Sequence, residues 1–190
     1  MKAKIAVLVS GSGTNLQALI DADIPSGELA LVVSSKADAY ALIRAEKAGI
    51  PTEVVHRDEE KLLEVLKEYD IDMIVLAGYL SVLSENFVKH YEKRIINVHP
   101  SLIPSFCGDG YYGLRVHREA LEYGVKITGA TVHYVNEITD GGEIIFQKAV
   151  EVLPEDTPES LQKRVMEEAE WVLLPKAAEK VANDIIRGIN

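Results

Sequence analysis

One cysteine, Cys107, stands in 190 residues, so no internal disulfide is available. Basic residues are in the minority. Twenty Lys and Arg against thirty Asp and Glu leave a formal charge of -10, which argues against a general nucleic-acid backbone binder and against a basic membrane-surface protein. A local anion site is still compatible with that charge. No apolar run approaches the roughly 18 to 20 residues that span a bilayer. The Met1-Lys2-Ala3-Lys4 start, with only the five apolar residues Ile5 to Val9 after it, lacks the form of a signal peptide. Repeats, linkers and low-complexity tracts are also missing. The expectation is a soluble cytoplasmic protein with one domain over residues 1–190, and its 47% hydrophobic content is enough for a buried core.

Ile5-Ala6-Val7-Leu8-Val9 is a short, β-branched-rich run closed by Ser10-Gly11-Ser12-Gly13, the pattern of a strand covered on both faces. Asn15 is suited to cap a helix carrying Leu16, Ala18, Leu19 and Ala22, and a second apolar run, Leu29 to Val33, follows the Pro25-Ser26-Gly27 break. The alternation continues with a helix over 37–48, a strand over 52–55, a helix over 59–69 and the strand Met73 to Ala77. A short helical stretch over 85–90 then leads to the strand Ile95 to Val98. This order predicts a doubly wound, mostly parallel α/β sheet, with ligands at the carboxyl ends of the strands. Beyond residue 100 the rhythm changes. Segments 127–135 and 144–152 alternate like antiparallel strands, adding a mixed edge, and helical spacing runs from Thr157 with a kink or break at Pro175.

Three segments could carry chemistry. Gly11-Ser12-Gly13-Thr14-Asn15 joins the first strand to the first helix, where exposed amides and a helix amino terminus suit a phosphate; a plain tight turn fits equally. It is neither a dinucleotide fingerprint, since Leu16 takes the third glycine position, nor a P-loop. Asn97 and His99 project to one side at the end of a strand, a proton exchanger beside an amide donor, although the same residues also suit a polar turn. Asp140-Gly141-Gly142 reads first as a hairpin turn, and alternatively as a carboxylate delivered next to His99. His56, His90, His117 and His133 show no metal spacing, so no metal is expected. Cys107 near His99 raises a cysteine-hydrolase alternative, without any sign of an activated thiol.

The stretch Val7 to Gln17, the run Asn97-Val98-His99-Pro100-Ser101-Leu102-Ile103-Pro104 and the turn Asp140-Gly141-Gly142, in that order, resemble the folate-dependent glycinamide ribonucleotide formyltransferases of purine synthesis. Lys36-Ala37-Asp38-Ala39 and Leu76-Ala77-Gly78-Tyr79 extend the likeness over nearly the whole chain. The resemblance implies a Rossmann-like formyltransferase fold and direct transfer of a formyl group from 10-formyltetrahydrofolate, a co-substrate, to the primary amine of glycinamide ribonucleotide. It further implies that Gly13, Thr14 and Asn15 hold the ribonucleotide phosphate and that Glu170 contacts the ribonucleotide. Asn97, His99 and Asp140 would be the catalytic trio, with protonated His99 and Asn97 stabilising the oxyanion and Asp140 sustaining the charge on His99. Leu80, Ser81, Val82 and Leu83 would hold the folate pterin beside Asn97.

Departures accompany the likeness. Leu80-Ser81 stands where the family commonly has Met-Arg, Cys107 to Tyr112 lengthens the loop after Pro104, and the folate-contacting arginine has no clear counterpart except Arg57. The segment from Ser105 to Leu114 is expected to be a mobile flap rather than a catalytic element. Related functions on the same core are methionyl-tRNA formyltransferase, formyltetrahydrofolate hydrolase and sugar-nucleotide formyltransferase. Length and charge are expected to disfavour the first, and length the second. A catalytically silent phosphate-binding module is the non-enzymatic alternative. The expected partners are small-molecule substrates, with neither nucleic acid nor membrane, and the expected state is a monomer or a homodimer.

Overall fold

A computed structural model describes residues 1–189. Seven strands form one sheet in the order β3-β2-β1-β4-β5-β6-β7. β1 (Ala3–Val9), β2 (Gly27–Ser34), β3 (Thr52–Val54), β4 (Met73–Leu76) and β5 (Ile95–His99) are parallel; β6 (Ile127–Tyr134) and β7 (Ile144–Glu151) run antiparallel at one edge. The mixed sheet expected from the sequence is the one formed, with the strand limits displaced by a residue or two.

Alternation along β1 divides the core. Ile5, Val7 and Val9 pack with α1 (Thr14–Asp21), α2 (Tyr40–Lys47), α6 (Pro158–Val165) and α7 (Trp171–Ile186) on one face. Ala6 and Leu8 pack with α3 (Glu59–Glu68) and α4 (Glu85–His90) on the other. Both faces of β1 are therefore dry, which is why its sequence is a continuous apolar run rather than an alternating one. α5 (Leu114–Tyr123) buries Val116, His117 and Ala120 and packs against α6.

Three local expectations need correction. Asn15 is not the cap of α1: the helix begins at Thr14 and its cap is Gly13, at φ 73°, a left-handed conformation that glycine adopts without strain. α2 begins at Tyr40 rather than Ala37. Pro175 does not break the last helix, which continues through it from Trp171 to Ile186; the irregularity lies upstream, in a π-helical turn over Met166–Glu170. That turn has a packing cause. Leu161, Val165, Ala169 and Leu173 are buried at four-residue steps, and each such step drifts about 40° around an ideal α-helix of 3.6 residues per turn. A wider turn absorbs the drift.

Candidate active site

The sheet's carboxyl edge gathers the three segments. β4 and β5 pair so that Leu76 lies opposite Asn97, and β5 and β6 pair so that Asn97 lies opposite His133. Asn97 Nδ2 sits 3.2 Å from His133 Nε2. Asp140, at φ 55° in the β6–β7 connection, reaches over both rings: its Oδ2 is 3.4 Å from His99 Nδ1 and its Oδ1 is 3.6 Å from His133 Nε2. Gly142 makes this reach possible, because a Cβ there would stand 1.7 Å from the Tyr134 carbonyl oxygen. The Asp-Gly-Gly segment is thus both the hairpin connection and the source of a carboxylate.

The loop after β5 closes the cluster from the other side. His99 Nε2 is 2.9 Å from the Phe106 carbonyl, which only accepts, so this nitrogen carries a proton. The Gly108 amide donates to Asp140 Oδ2 at 2.9 Å. Thr131 Oγ1 donates to the Ser101 carbonyl and accepts from the Ile103 amide, fixing the loop's origin on β6. Backbone groups of 106 and 108, within the segment expected to be a flap, thus hold His99 and Asp140 directly.

Burial governs the ionisation. It pushes His99 below its ordinary value, and neither the nearby Asp140 charge nor the Phe106 carbonyl offsets it. Burial works against Asp140's charge too, but His133, His99 and the Gly108 amide prevail and keep its carboxyl below the usual range. Asn97 is half-buried, whereas His99 is buried. Cys107 is pushed up by burial and by Asp140, the reverse of what a thiolate nucleophile requires, and its Sγ donates to the Pro104 carbonyl at 3.3 Å.

Gly11 to Asn15 lead from β1 into α1, and their backbone is braced by α2. The Ala41 amide donates to the Gly11 carbonyl at 3.0 Å and Arg44 Nε donates to the Ser12 carbonyl at 2.8 Å. A Cβ on Gly13 would come within 2.6 Å of Ala41 Cβ. Thr14 faces Met166, with Oγ1 4.0 Å from its Sδ. Asn15 Nδ2 donates to Glu170 Oε2 at 3.0 Å, while Asn15 Oδ1 is buried without a partner. Burial raises the Glu170 carboxyl and the Asn15 amide only partly opposes it. The π-turn delivers Glu170 to α1.

Beyond β4, Tyr79 to Ser84 line a cleft of about 870 Å³ whose other wall is Arg57 to Glu60 and Leu62. Leu80 and Val82 are 59% and 80% exposed, apolar faces suited to a flat ring system, whereas Leu83 turns inward to pack with Phe87. Arg57 does lie on this cleft. Ser10 ties it to the phosphate loop's strand: its Oγ accepts from the Leu80 amide at 3.0 Å and lies 2.7 Å from Ser35 Oγ. Among the described residues no group of three His, Cys, Asp or Glu side chains is arranged for a metal ion, and no helix is long and apolar enough to cross a membrane.

Two histidines outside the expected set belong here. His133 completes the contacts of Asn97 and Asp140, and the signal for it was the β5–β6 register, which places it opposite Asn97. His117 lies beneath His99 on α5, almost fully buried, with neither ring nitrogen hydrogen-bonded. Burial, and secondarily His99, lowers it to about 4.

The carboxyl-edge cluster, the phosphate-type turn and the neighbouring cleft define a group-transfer site on a doubly wound sheet. The formyl transferase sequence pattern matches residues 3–177, and the chain belongs to that family. Its relatives there are more specific: the chain is 42% identical over 184 residues to the phosphoribosylglycinamide formyltransferase of Haemophilus influenzae, covering 90% of this chain and 84% of that one. It is 45% identical over 197 residues to the trifunctional purine biosynthetic protein adenosine-3 of Gallus gallus, 98% of this chain but only 19% of that much longer protein. A crystal structure of phosphoribosylglycinamide formyltransferase from Anaplasma phagocytophilum superimposes with a TM-score of 0.90 at 44% identity, over 97% of this chain and 89% of that one.

Proposed function

We propose that this chain, as a single catalytic domain, transfers the formyl group of 10-formyltetrahydrofolate to the amine of glycinamide ribonucleotide in purine synthesis. One observation carries the reading: Asn97, His99 and Asp140 converge at the carboxyl end of β5, on the same sheet edge as the turn after β1 and the cleft after β4. The ribonucleotide phosphate takes the amides at Gly13, Thr14 and Asn15, with Glu170 on the same ligand, and the folate ring lies along Leu80 to Leu83.

The amine nitrogen attacks the formyl carbon, and Asn97 Nδ2 donates to the oxygen that becomes negative. His99, held to the Phe106 carbonyl through Nε2–H, has Nδ1, 3.4 Å from Asp140 Oδ2, as its base. It takes the proton that the attacking nitrogen sheds, and the resulting imidazolium faces Asp140. Returning that proton to N10 as the carbon–N10 bond breaks releases tetrahydrofolate and restores the neutral ring. The substrates are small molecules, and a cytoplasmic monomer or homodimer is part of the same proposal.

The test is release of tetrahydrofolate from 10-formyltetrahydrofolate with and without glycinamide ribonucleotide. Release that requires the amine is expected; release without it makes the protein a hydrolase, and binding without turnover makes it a silent module. With the ribonucleotide saturating, activity should fall only at pH values below 6.5, where Nδ1 becomes protonated. Loss of activity on raising the pH through that range would instead show His99 acting from its charged form.

A further inference from the structure

The loop between β5 and α5 holds the trio through two arms, and the arms are anchored differently. The first is tied down near the sheet: Ser101 Oγ donates to the Ser105 carbonyl at 2.5 Å, and the Phe106 ring meets Tyr123 edge-on with centroids 6.0 Å apart. The second begins at Gly108, whose amide donates to Asp140 Oδ2 and whose carbonyl accepts from the Tyr111 amide at 3.1 Å. Tyr111 is in turn held by a helix. Its hydroxyl donates to Glu119 Oε2 at 2.8 Å, Arg115 Nε donates to Glu119 Oε1 at 2.7 Å, and the Arg115 guanidinium lies 5.2 Å over the centre of the Tyr111 ring. Both oxygens of Glu119 are engaged at this junction. Three hydrogen bonds thus lead from Glu119 through Tyr111 and Gly108 to Asp140.

Helix stability does not account for the Arg115–Glu119 pair. A cation ahead of an anion at i,i+4 is the weaker orientation, and Arg115 stands in the first turn of α5, the end where a positive charge is disfavoured. Reaching the loop does account for it. Tyr111 belongs to the Cys107 to Tyr112 stretch that lengthens this loop, and a longer loop has more freedom to lose before it can hold anything in place. Building on the proposed function, in which Asp140 faces the imidazolium formed at His99, we propose that Glu119 is a positioning residue: through Tyr111 it keeps the Gly108 amide on Asp140 without itself reaching the trio. An Asp140 carboxylate deprived of that donor is free to turn from His99 Nδ1, 3.4 Å away, and a misplacement of that kind slows the chemical step more than it weakens binding. The contact of His99 with the Phe106 carbonyl belongs to the first arm and does not depend on Glu119.

The experiment compares Glu119→Ala, Tyr111→Phe and the double variant with the unaltered protein, by steady-state kinetics in both substrates and by hydrogen exchange of the Gly108 amide without substrate. Glu119→Ala should lower kcat about tenfold with both KM values within about twofold. Tyr111→Phe, which keeps the ring, should lower kcat about fivefold, and the double variant should be no slower than Glu119→Ala alone, since both changes cut the same path. The Gly108 amide should exchange at least about tenfold faster in each variant, while the thermal unfolding midpoint and the hydrogen-bonded Nε2 proton of His99 stay as in the unaltered protein. A folded Glu119→Ala with near wild-type kcat, losses that multiply in the double variant, or a Gly108 amide that stays protected overturns the proposal. If the unaltered protein shows no amine-dependent transfer, the proposed function fails, and the exchange of Gly108 still decides whether Glu119 holds the loop.

Discussion

The Asn97–His99–Asp140 cluster and the cleft beyond β4 lie one strand apart and are built in opposite ways. Asn97, His99 and His133 come from paired strands whose register fixes their spacing, and Asp140 is clamped to them by the Gly108 amide. His99, His133 and the Asp140 carboxylate are almost completely buried. The cleft is made of a loop and a helix amino terminus, with Leu80 and Val82 standing in solvent. Proton transfer needs heavy atoms held within hydrogen-bond reach, so its groups sit on strand ends in a region from which water is largely excluded. A ligand with a long flexible tail must enter and leave, so its walls are open and gain most of their apolar contact only when occupied.

That contrast can be broken most forcefully at the sealed end. Asn97→Ala, His99→Ala and Asp140→Ala should each lower kcat/KM by about 100-fold or more with folding retained, and the double variants should lose much less than the product of the single losses. Leu80→Ala and Val82→Ala should cost less than about tenfold, mostly in the donor's KM. A correctly folded His99→Ala at near wild-type rate would remove the distinction.

Gly13→Val should come next. Its side chain meets Ala41 and its left-handed backbone disfavours any β-carbon. The ribonucleotide KM should therefore rise about tenfold or more, against a small change for the folate, as steady-state kinetics in both substrates would show.

His117 sharpens the comparison through stability. Its folded value, about 4, lies below the 6.5 of an unfolded histidine, so the unfolded chain takes up the proton first and stability is lost as pH falls from 6.5 toward 4. The loss should total about 3 kcal/mol from this ring alone, and it should be missing from the difference between wild type and His117→Leu above pH 7. Urea unfolding at several pH values, wild type against His117→Leu, measures it; parallel curves would contradict the buried neutral ring. The smallest effect is expected at Cys107→Ser, whose turnover should match wild type within about twofold, since the thiol donates only to a loop carbonyl. Inactivation with trapping of a formyl thioester would revive a cysteine nucleophile.

The parallel half of the sheet was legible because strands buried on both faces must be continuous apolar runs, as in Ile5 to Val9 and Met73 to Ala77. The trio was visible as residue types at strand ends and gained its roles from a family resemblance. His133 was not visible, because an antiparallel register is a long-range fact that no local spacing encodes. His117 escaped for a related reason: an amphipathic helix pattern says which face is buried, not which polar group is carried inside with it. The lowering of His99 was not legible, since sequence supplies the neighbouring carboxylate but not the depth of burial that opposes it. Pro175 misled because the strain of the last helix is relieved a turn earlier.

The π-helical turn over Met166–Glu170 gives the end of the chain something like a reading frame. One residue corresponds to about 100° of rotation around an α-helix. Deleting Glu168, an exposed position, would restore regular winding and leave Leu161, Val165, Ala169 and Leu173, then spaced four, three and four residues apart, within about 30° of one face. Inserting a residue at that position would instead turn Leu173, Leu174, Ala177, Ala178, Val181 and Ala182 about 100° away from the sheet, and Glu170 would lose Asn15. Substitutions at Glu167 or Glu168 leave the frame intact and should be tolerated, whereas one added residue there uncouples the Asn15–Glu170 pair from the core that supports it.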